Sequence, residues 1–207
     1  MSVEKLARII SDSAAILESK EDYLSAIDSE TGDGDHGVTV SKIARAVIAE
    51  CDSTAARTPS ELLSDISVAV MGIDGGSAGP LWAMLFDGAS EAIGDADMIE
   101  AETIGVLLGG AIEGLGSVSD AKQGMKTMLD ALAPAAEAAE RCEGELEDVL
   151  AAAAQAAEEG AESTRDMLAC YGRAKNLKED SRGHLDPGAV GIALFLRALS
   201  DVYNENV

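Results

Sequence analysis

The chain has 207 residues, of which 47% are apolar and only 3% aromatic, and its formal net charge at pH 7 is −23. A charge of this sign and size repels phosphate backbones, so it argues against a nucleic-acid partner. No linker-like stretch divides the sequence, and we therefore expect one domain over residues 1–207. Abundant alanine with scarce aromatics favours closely packed helices over sheets.

The cysteines and the N-terminus indicate the cellular compartment. Cys51, Cys142 and Cys170 follow no spacing pattern, which is typical of free thiols in a reducing cytosol. The N-terminus lacks a basic segment followed by an apolar one, as a signal peptide would have. The longest apolar run, residues 189–196, is too short to cross a bilayer. We therefore expect a cytoplasmic chain without a membrane span.

Apolar residues spaced three and four apart predict helices in the first half of the chain. The first runs over residues 3–18, and a short second one ends near Asp28. A third begins after the glycine-rich stretch that closes at Gly37. Residues 58–61, Thr-Pro-Ser-Glu, combine a capping threonine with a first-turn proline and so predict the start of a fourth. Pro80 opens the next helix.

The same spacing continues through the second half. It predicts a helix over residues 104–115, another that follows residues 126–130 and ends near Glu140, and a long alanine-rich helix over 145–169. A polar loop, residues 171–187, then leads to a last helix. Since no segment alternates apolar and polar residues like a strand, the sequence predicts an all-α fold of about eight helices.

Three aspartates, Asp28, Asp33 and Asp35, lie within eight residues, with Gly32 and Gly34 among them and Gly37 just after. Glycine lets the backbone fold tightly enough for several carboxylates to converge, and converging carboxylates repel unless a cation lies between them. Ligands that offer only oxygen select hard cations such as magnesium or calcium. An acidic surface turn is the alternative that spacing alone leaves open. His36, which follows directly, could contact a phosphate or orient a ligand, and a histidine with its hydrogen bonds satisfied within the turn is the alternative.

Two further breaks between helices could bind anions. Residues 75–79, Gly-Gly-Ser-Ala-Gly, enter a helix N-terminus, where free backbone N–H groups bind anions well. The loop is not a Walker sequence, and an ordinary interhelical turn is the alternative. In the last polar loop, Arg173 could pair with a phosphate. Asp186, followed by a proline, could be only a helix cap.

Taken together, five segments in order resemble one family, the nucleotide-binding L subunit of dihydroxyacetone kinase (the DhaL family). The similarity spans nearly the whole chain and lies in Asp28 with Gly32-Asp-Gly-Asp-His-Gly37, Gly75-Gly-Ser-Ala-Gly-Pro-Leu81, Lys126-Thr-Met-Leu-Asp130, Gly172-Arg-Ala174 and Gly183-His-Leu-Asp-Pro-Gly-Ala189.

This resemblance implies an antiparallel up-and-down helical barrel that binds ADP or ATP through two Mg²⁺ ions. The implied metal ligands are Asp28, Asp33 and Asp35. The implied nucleotide contacts are His36, Thr39, Ser77, Ala78, Met128, Arg173, Asp186 and Gly188. In the family the hydroxyketone substrate is held by a separate K subunit or domain. The chain is then expected to act as a kinase subunit together with a K-type partner.

The family uses two phosphodonors: some members exchange ATP, and others keep ADP bound and recharge it from a phosphocarrier subunit of the phosphotransferase system. The sequence departs from the family pattern at two positions, and these departures bear on which hydroxyketone is used and on the fit to the K partner. Met125 stands where relatives often have an aspartate, and Asp180 stands where they often have an arginine before the serine. A kinase subunit for a different hydroxyketone and a non-catalytic nucleotide-binding regulator of another protein are the alternatives.

Overall fold

Residues 1–206, which a computed structural model describes, form nine α-helices and no strand. The helices are α1 (Val3–Glu18), α2 (Glu21–Ser29), α3 (His36–Ser53), α4 (Pro59–Met71), α5 (Ala78–Ile93), α6 (Ala101–Val118), α7 (Leu129–Arg141), α8 (Leu146–Ser163) and α9 (Pro187–Glu205). Two 3-10 segments, Thr164–Asp166 and Ala174–Ser181, lie between α8 and α9. The predicted all-α fold is confirmed.

Eight of these helices form a closed antiparallel ring. Each of α3 to α8 packs against the next helix in the chain, and α1 closes the ring by packing against both α3 and α9. The short helix α2 lies outside this order and contacts α3 and α9. The architecture is therefore the expected up-and-down barrel of eight helices, with α2 as a ninth.

Local sequence signals set the starts of α4 and α9. The side chain of Thr58 accepts a hydrogen bond from the backbone N–H of Glu61 at 3.2 Å, and Pro59 occupies the first turn. Asp186 accepts from the backbone N–H of Ala189 at 2.8 Å, and a proline again follows the cap. Both starts agree with the sequence-based prediction, because N-caps depend on a few neighbouring residues.

The predicted end of α8 was wrong: the helix stops at Ser163, and a 3-10 turn follows over Thr164–Asp166. The side chain of Thr164 donates to the carbonyl of Ala161 at 2.6 Å. The carbonyl of Thr164 itself accepts from Lys126 Nζ at 2.9 Å. Because a side chain from a distant part of the chain takes this carbonyl, helical spacing alone could not locate the end.

The barrel interior is apolar. Trp82 packs edge-on against Phe195 with ring centroids 5.6 Å apart, and Phe86 lies 6.3 Å from both rings. An apolar cavity of about 130 Å³ adjoins this aromatic cluster. The site residues that sequence reasoning singled out lie in the connections between helices or within one turn of a helix end.

Helix α6 is the most apolar long helix of the barrel. Among the described helices only α6 is long and apolar enough, by length and composition, to cross a bilayer. That property is weak evidence for a span, since core helices of bundles share it. Here α6 packs between α5 and α7, and its residues Gly110 and Gly114 lie against the backbone of α5 at Gly88.

Because the helices alternate in direction, the connections that carry the predicted site residues lie at one end of the barrel. The connections before α3, α5, α7 and α9 all lie at this end, which we call the loop end. The N-terminus lies at the opposite end, where the amine of Met1 donates to the carbonyl of Ile99 at 2.6 Å. Segments far apart in sequence therefore meet at the loop end.

Candidate functional site

The three predicted metal ligands converge at the loop end. Asp28 lies near the end of α2, and Asp35 is the N-cap of α3. One carboxylate oxygen from each of Asp28, Asp33 and Asp35 lies within 4.8 Å of the others. Gly34, with φ of +78°, allows the tight turn between them. An all-oxygen donor set at this spacing fits a hard divalent cation.

Arg173 reaches this cluster from the last polar loop. Its guanidinium Nη1 lies 3.3 Å from Asp35 Oδ1 and also contacts the carboxylate of Asp33. All three side chains are about half exposed. The structure thus brings one predicted phosphate contact directly to the predicted metal ligands.

His36 begins α3 beside the aspartates. Its backbone N–H donates to Asp28 Oδ2 at 3.3 Å, and its ring Nε2 is buried with no hydrogen-bond partner among residues 1–206. Desolvation lowers the pKa of His36, while the charge of Asp28 acts in the opposite direction. A buried ring nitrogen without a partner is a polar group available to a ligand.

The glycine-rich loop before α5 packs against α3. Gly75, with φ of +145°, lies so close to Thr39 that a side chain there would overlap it. Thr39 is buried and donates from Oγ1 to the carbonyl of Asp35 at 3.2 Å. Ser77, the N-cap of α5, makes no side-chain cap hydrogen bond, and Ala78 is the first helical residue. The first N–H groups of α5 are therefore open to an anion.

The remaining predicted contacts lie where α7 and α9 begin. Met128 is the buried N-cap residue of α7, and Gly188 lies in the first turn of α9 close to it. Asp186 caps α9, as the simpler sequence interpretation held. Desolvation raises the pKa of Asp186 to about 7; the charge of Asp130 acts in the same direction and that of Lys126 against it.

Sequence reasoning missed two groups of residues at this end. Glu30 Oε2 and His184 Nδ1 lie 2.9 Å apart and join the aspartate turn to the last loop. Lys126 and Asp130, almost fully buried, organise the connection between α6 and α7. Asp130 accepts hydrogen bonds from the backbone N–H groups of Gly124 and Thr127. The sequence offered one signal, a lysine and an aspartate four residues apart at a helix start, but no reason to expect their burial.

Known proteins resemble the chain at the levels of sequence and structure. The DAK2 domain model matches residues 30–201. The chain is 32% identical over 186 residues to the ADP-binding subunit DhaL of PEP-dependent dihydroxyacetone kinase 2 of Listeria innocua, covering 87% of this chain and 86% of that protein. It is 30% identical over 188 residues to the corresponding subunit of Escherichia coli, covering 89% and 90%.

Longer kinases contain the same domain. D-erythrulose kinase of Mycolicibacterium smegmatis is 35% identical over 202 residues, which are 95% of this chain and 35% of that protein. The crystal structure of the dihydroxyacetone kinase from C. freundii in complex with AMP-PNP and Mg²⁺ superposes with a TM-score of 0.71 at 28% identity, over 94% of this chain and 33% of that one. The chain therefore belongs to the DAK2 domain family and, within it, to the DhaL-type subunits of dihydroxyacetone kinases.

Proposed function

We propose that this chain is the ADP- or ATP-binding subunit of a dihydroxyacetone-type kinase, and that it transfers a phosphoryl group to a hydroxyketone held by a K-type partner. One observation carries the proposal: the cluster of Asp28, Asp33 and Asp35 lies at the same end of the barrel as the open N-terminus of α5. A cation site next to an anion site suits a metal-bound phosphate chain.

The aspartate cluster is the proposed magnesium site. Its carboxylates supply only oxygen ligands, which suit Mg²⁺, and the family resemblance suggests two ions. Bound magnesium would neutralise phosphate charge during transfer. The protein's own contribution is to hold the three carboxylates in place, through the turn at Gly34 and the hydrogen bond from the backbone of His36 to Asp28.

The phosphates of the nucleotide are proposed to lie between the aspartate turn and α5. The backbone N–H groups at Ser77 and Ala78 are suitable donors, and buried Thr39 supports the loop that carries them. His36 offers an unpartnered ring nitrogen, and Arg173 a guanidinium already at the cluster. Met128, Asp186 and Gly188, which lie together where α7 and α9 begin, are the other proposed contacts.

The acceptor hydroxyl is proposed to come from the partner. The proposed machinery consists of groups that bind phosphate and metal, and phosphoryl transfer requires positioning more than a protein nucleophile. The chain spans about 90% of the separate DhaL subunits it resembles, and about a third of the longer kinases. A K-type subunit would correspond to another part of those longer chains. The phosphodonor is either ATP or a phosphocarrier subunit.

Binding is the first test. ADP and Mg²⁺ together should raise the melting temperature more than the sum of their separate shifts, because metal relieves repulsion among the carboxylates and phosphates. At a hundredfold excess over Kd the ligand adds about 2.7 kcal/mol of stability. Asp97→Asn, in the loop between α5 and α6 at the opposite end, is the matched control and should keep the full shift. A combined shift no larger than that of either ligand alone would refute the proposed site.

Turnover is the second test. The chain is mixed with a K-type subunit and either dihydroxyacetone or erythrulose, with ATP or a phosphorylated phosphocarrier as donor. Formation of the phosphorylated ketone only in the complete mixture supports the kinase. Tight binding of Mg·ADP with no turnover for any K-type subunit, ketone or donor would instead favour a nucleotide-binding regulator.

A further inference from the structure

Lys126 is a buried lysine that joins distant parts of the chain. It lies between α6 and α7 and is 2% exposed. Its Nζ donates to the carbonyls of Thr164 at 2.9 Å, Ser181 at 2.7 Å and His184 at 2.6 Å, and Met167 O lies 3.5 Å away. These acceptors are 38 to 58 residues away in sequence. One ammonium group therefore joins the two ends of the connection between α8 and α9, at Thr164 and at Ser181 and His184.

The surroundings of Lys126 hold it in a fixed place. Its backbone has φ of +60°, a conformation that side-chain-bearing residues rarely adopt. The carboxylate of buried Asp130 fixes the same turn by accepting from the N–H groups of Gly124 and Thr127. The backbone N–H of Cys170 donates to the carbonyl of Met125 at 3.2 Å, which adds a second link to the same connection. Hydrogen bonds therefore hold the turn from which the lysine side chain projects.

Packing alone does not explain a lysine at this position. Burying an ammonium group is costly unless hydrogen bonds replace its water, and an apolar side chain would fill the same space without that cost. A lysine has three N–H donors, which can satisfy three loop carbonyls at once. Desolvation lowers the pKa of Lys126, whereas the nearby carboxylate of Asp186 acts to raise it.

The connection that Lys126 holds carries three groups of the candidate site. Arg173 reaches Asp33 and Asp35, His184 contacts Glu30, and Asp186 caps α9. The backbone N–H of Asp186 also donates to Thr164 Oγ1 at 2.9 Å, next to the carbonyl that Lys126 binds. Restraining Thr164, Ser181 and His184 therefore restrains the segment on which Arg173 and Asp186 lie.

We propose that Lys126 is a positioning residue for the nucleotide: it holds the segment from Thr164 to His184 against the start of α7, so that Arg173 and Asp186 face the ligand. Lys126 itself contacts neither metal nor phosphate in this role. The inference rests on the proposed function only for the identity of the ligand. The restraint on the segment is a property of the free protein.

Lys126→Met in the full chain tests the restraint directly. Without nucleotide, hydrogen exchange at residues 167–185 should become faster, while α1 to α6 keep their protection. Mg·ADP affinity, measured by calorimetry, should fall by about 10- to 100-fold, as is typical when a supporting residue behind a ligand site is removed. Unchanged exchange at residues 167–185, or wild-type affinity, would overturn the proposal.

Arg197→Met is the matched control. Arg197 makes two hydrogen bonds to Glu158, at 2.9 and 2.7 Å, and so links α9 to α8 on the barrel wall. Its loss removes a cation and its hydrogen bonds but leaves the connection held by Lys126 intact. We expect lower stability with unchanged exchange at residues 167–185 and unchanged Mg·ADP affinity. A similar loss of affinity in this control would mean that general destabilisation is the cause, and would overturn the proposal.

A double-mutant cycle separates positioning from a merely structural role. If Lys126 acts by placing Arg173, then Arg173→Met should weaken Mg·ADP binding less in the Lys126→Met background than in the wild type. Additive losses would show that the two residues act independently, against the proposal. If wild-type protein fails to bind Mg·ADP at all, the proposed function is wrong, and the exchange measurement still decides whether Lys126 restrains the segment.

Lys126→Gln replaces Lys126→Met if the latter does not fold. The shorter amide keeps N–H donors but cannot reach three carbonyls together, so the same local increase in exchange and the same loss of affinity are expected. Faster exchange spread evenly over all helices would show that Lys126 supports the whole fold, and would also overturn the proposal.

Discussion

The guanidinium of Arg173 lies 3.3 Å from Oδ1 of Asp35, although the two residues are 138 positions apart in the chain. It also contacts Asp33, so a protein cation lies beside two of the three carboxylates proposed to bind magnesium. The side chains of Arg173, Asp33 and Asp35 are about half exposed, so the ion pairs between them contribute little to stability. The significance of these ion pairs lies in competition, because Arg173 and a metal ion are attracted to the same carboxylates.

Arg173→Met is expected to change metal binding and nucleotide binding in opposite directions. Affinity for Mg²⁺ alone should rise, since the metal no longer displaces a guanidinium from Asp33 and Asp35. Affinity for Mg·ADP should fall, since a charge-assisted phosphate contact is lost. Calorimetric titration with each ligand measures both. Lys175→Met removes the same charge from the same loop and should change neither affinity; a fall in both affinities for Arg173→Met would contradict the competition.

Asp33→Asn and Asp35→Asn are each expected to weaken Mg·ADP binding by about 1–3 kcal/mol, because one charge is removed from the proposed ligand set. The folded state should lose little stability, since clustered carboxylates repel one another and these two are half exposed. Calorimetric titration and thermal melting measure the two effects. Asp97→Asn serves as the control. Wild-type affinity in both variants would mean that the aspartates form only an acidic surface turn.

The pKa of Asp186, raised to about 7, predicts how stability depends on pH. Its pKa in the unfolded chain is close to the ordinary 3.8, so the folded state binds the proton more tightly. Stability contributed by this group is therefore present below about pH 4 and is lost as pH rises to about 7. Asp186→Asn cannot titrate but keeps a capping oxygen. It should exceed the wild type in unfolding free energy by about 1–4 kcal/mol at pH 8, and by much less at pH 4.

Urea unfolding at pH 4, 6 and 8 measures this difference. Asp201→Asn, an exposed position on the same helix, is the control for removing a negative charge from a chain of net charge −23. The change in unfolding free energy caused by Asp201→Asn should vary less between pH 4 and pH 8 than the change caused by Asp186→Asn. If Asp186→Asn exceeded the wild type in unfolding free energy by the same amount from pH 4 to pH 8, the Asp186 carboxyl would not titrate in this pH range.

The three cysteines are expected to differ in reactivity. None is paired in the structure; Cys51 is buried, Cys142 is half-buried and Cys170 is exposed. Desolvation raises the pKa of the Cys51 thiol to about 12, so very little thiolate forms at neutral pH. Maleimide labelling followed by mass spectrometry should modify Cys170 first and Cys51 only after unfolding. Replacing all three with serine or alanine should leave Mg·ADP binding intact, and early modification of Cys51 would contradict its placement.

Sequence alone determined the helical segments and several of their starts, because these depend on residues a few positions apart. The spacing of apolar residues gave the helical segments, and Thr58 and Asp186 marked two helix starts that the structure confirms. The glycines between Asp28 and Asp35 pointed to converging carboxylates for the same reason, since the turn is short. The family resemblance added the closed barrel, which local spacing cannot specify.

Only the tertiary structure decided which side chains from different connections between helices contact one another. The pairing of Arg173 with Asp35 and of Glu30 with His184 depends on the antiparallel closure that gathers the breaks at one end. The burial of Lys126 depends on carbonyls from a connection 38 to 58 residues away, and a lysine in a polar segment ordinarily predicts an exposed side chain. The hydrogen bond from Lys126 Nζ to the carbonyl of Thr164 also holds Thr164 in place just beyond the end of α8. Contacts between backbone carbonyls and a distant side chain leave no periodic trace in a sequence, and the folded chain alone brings them together.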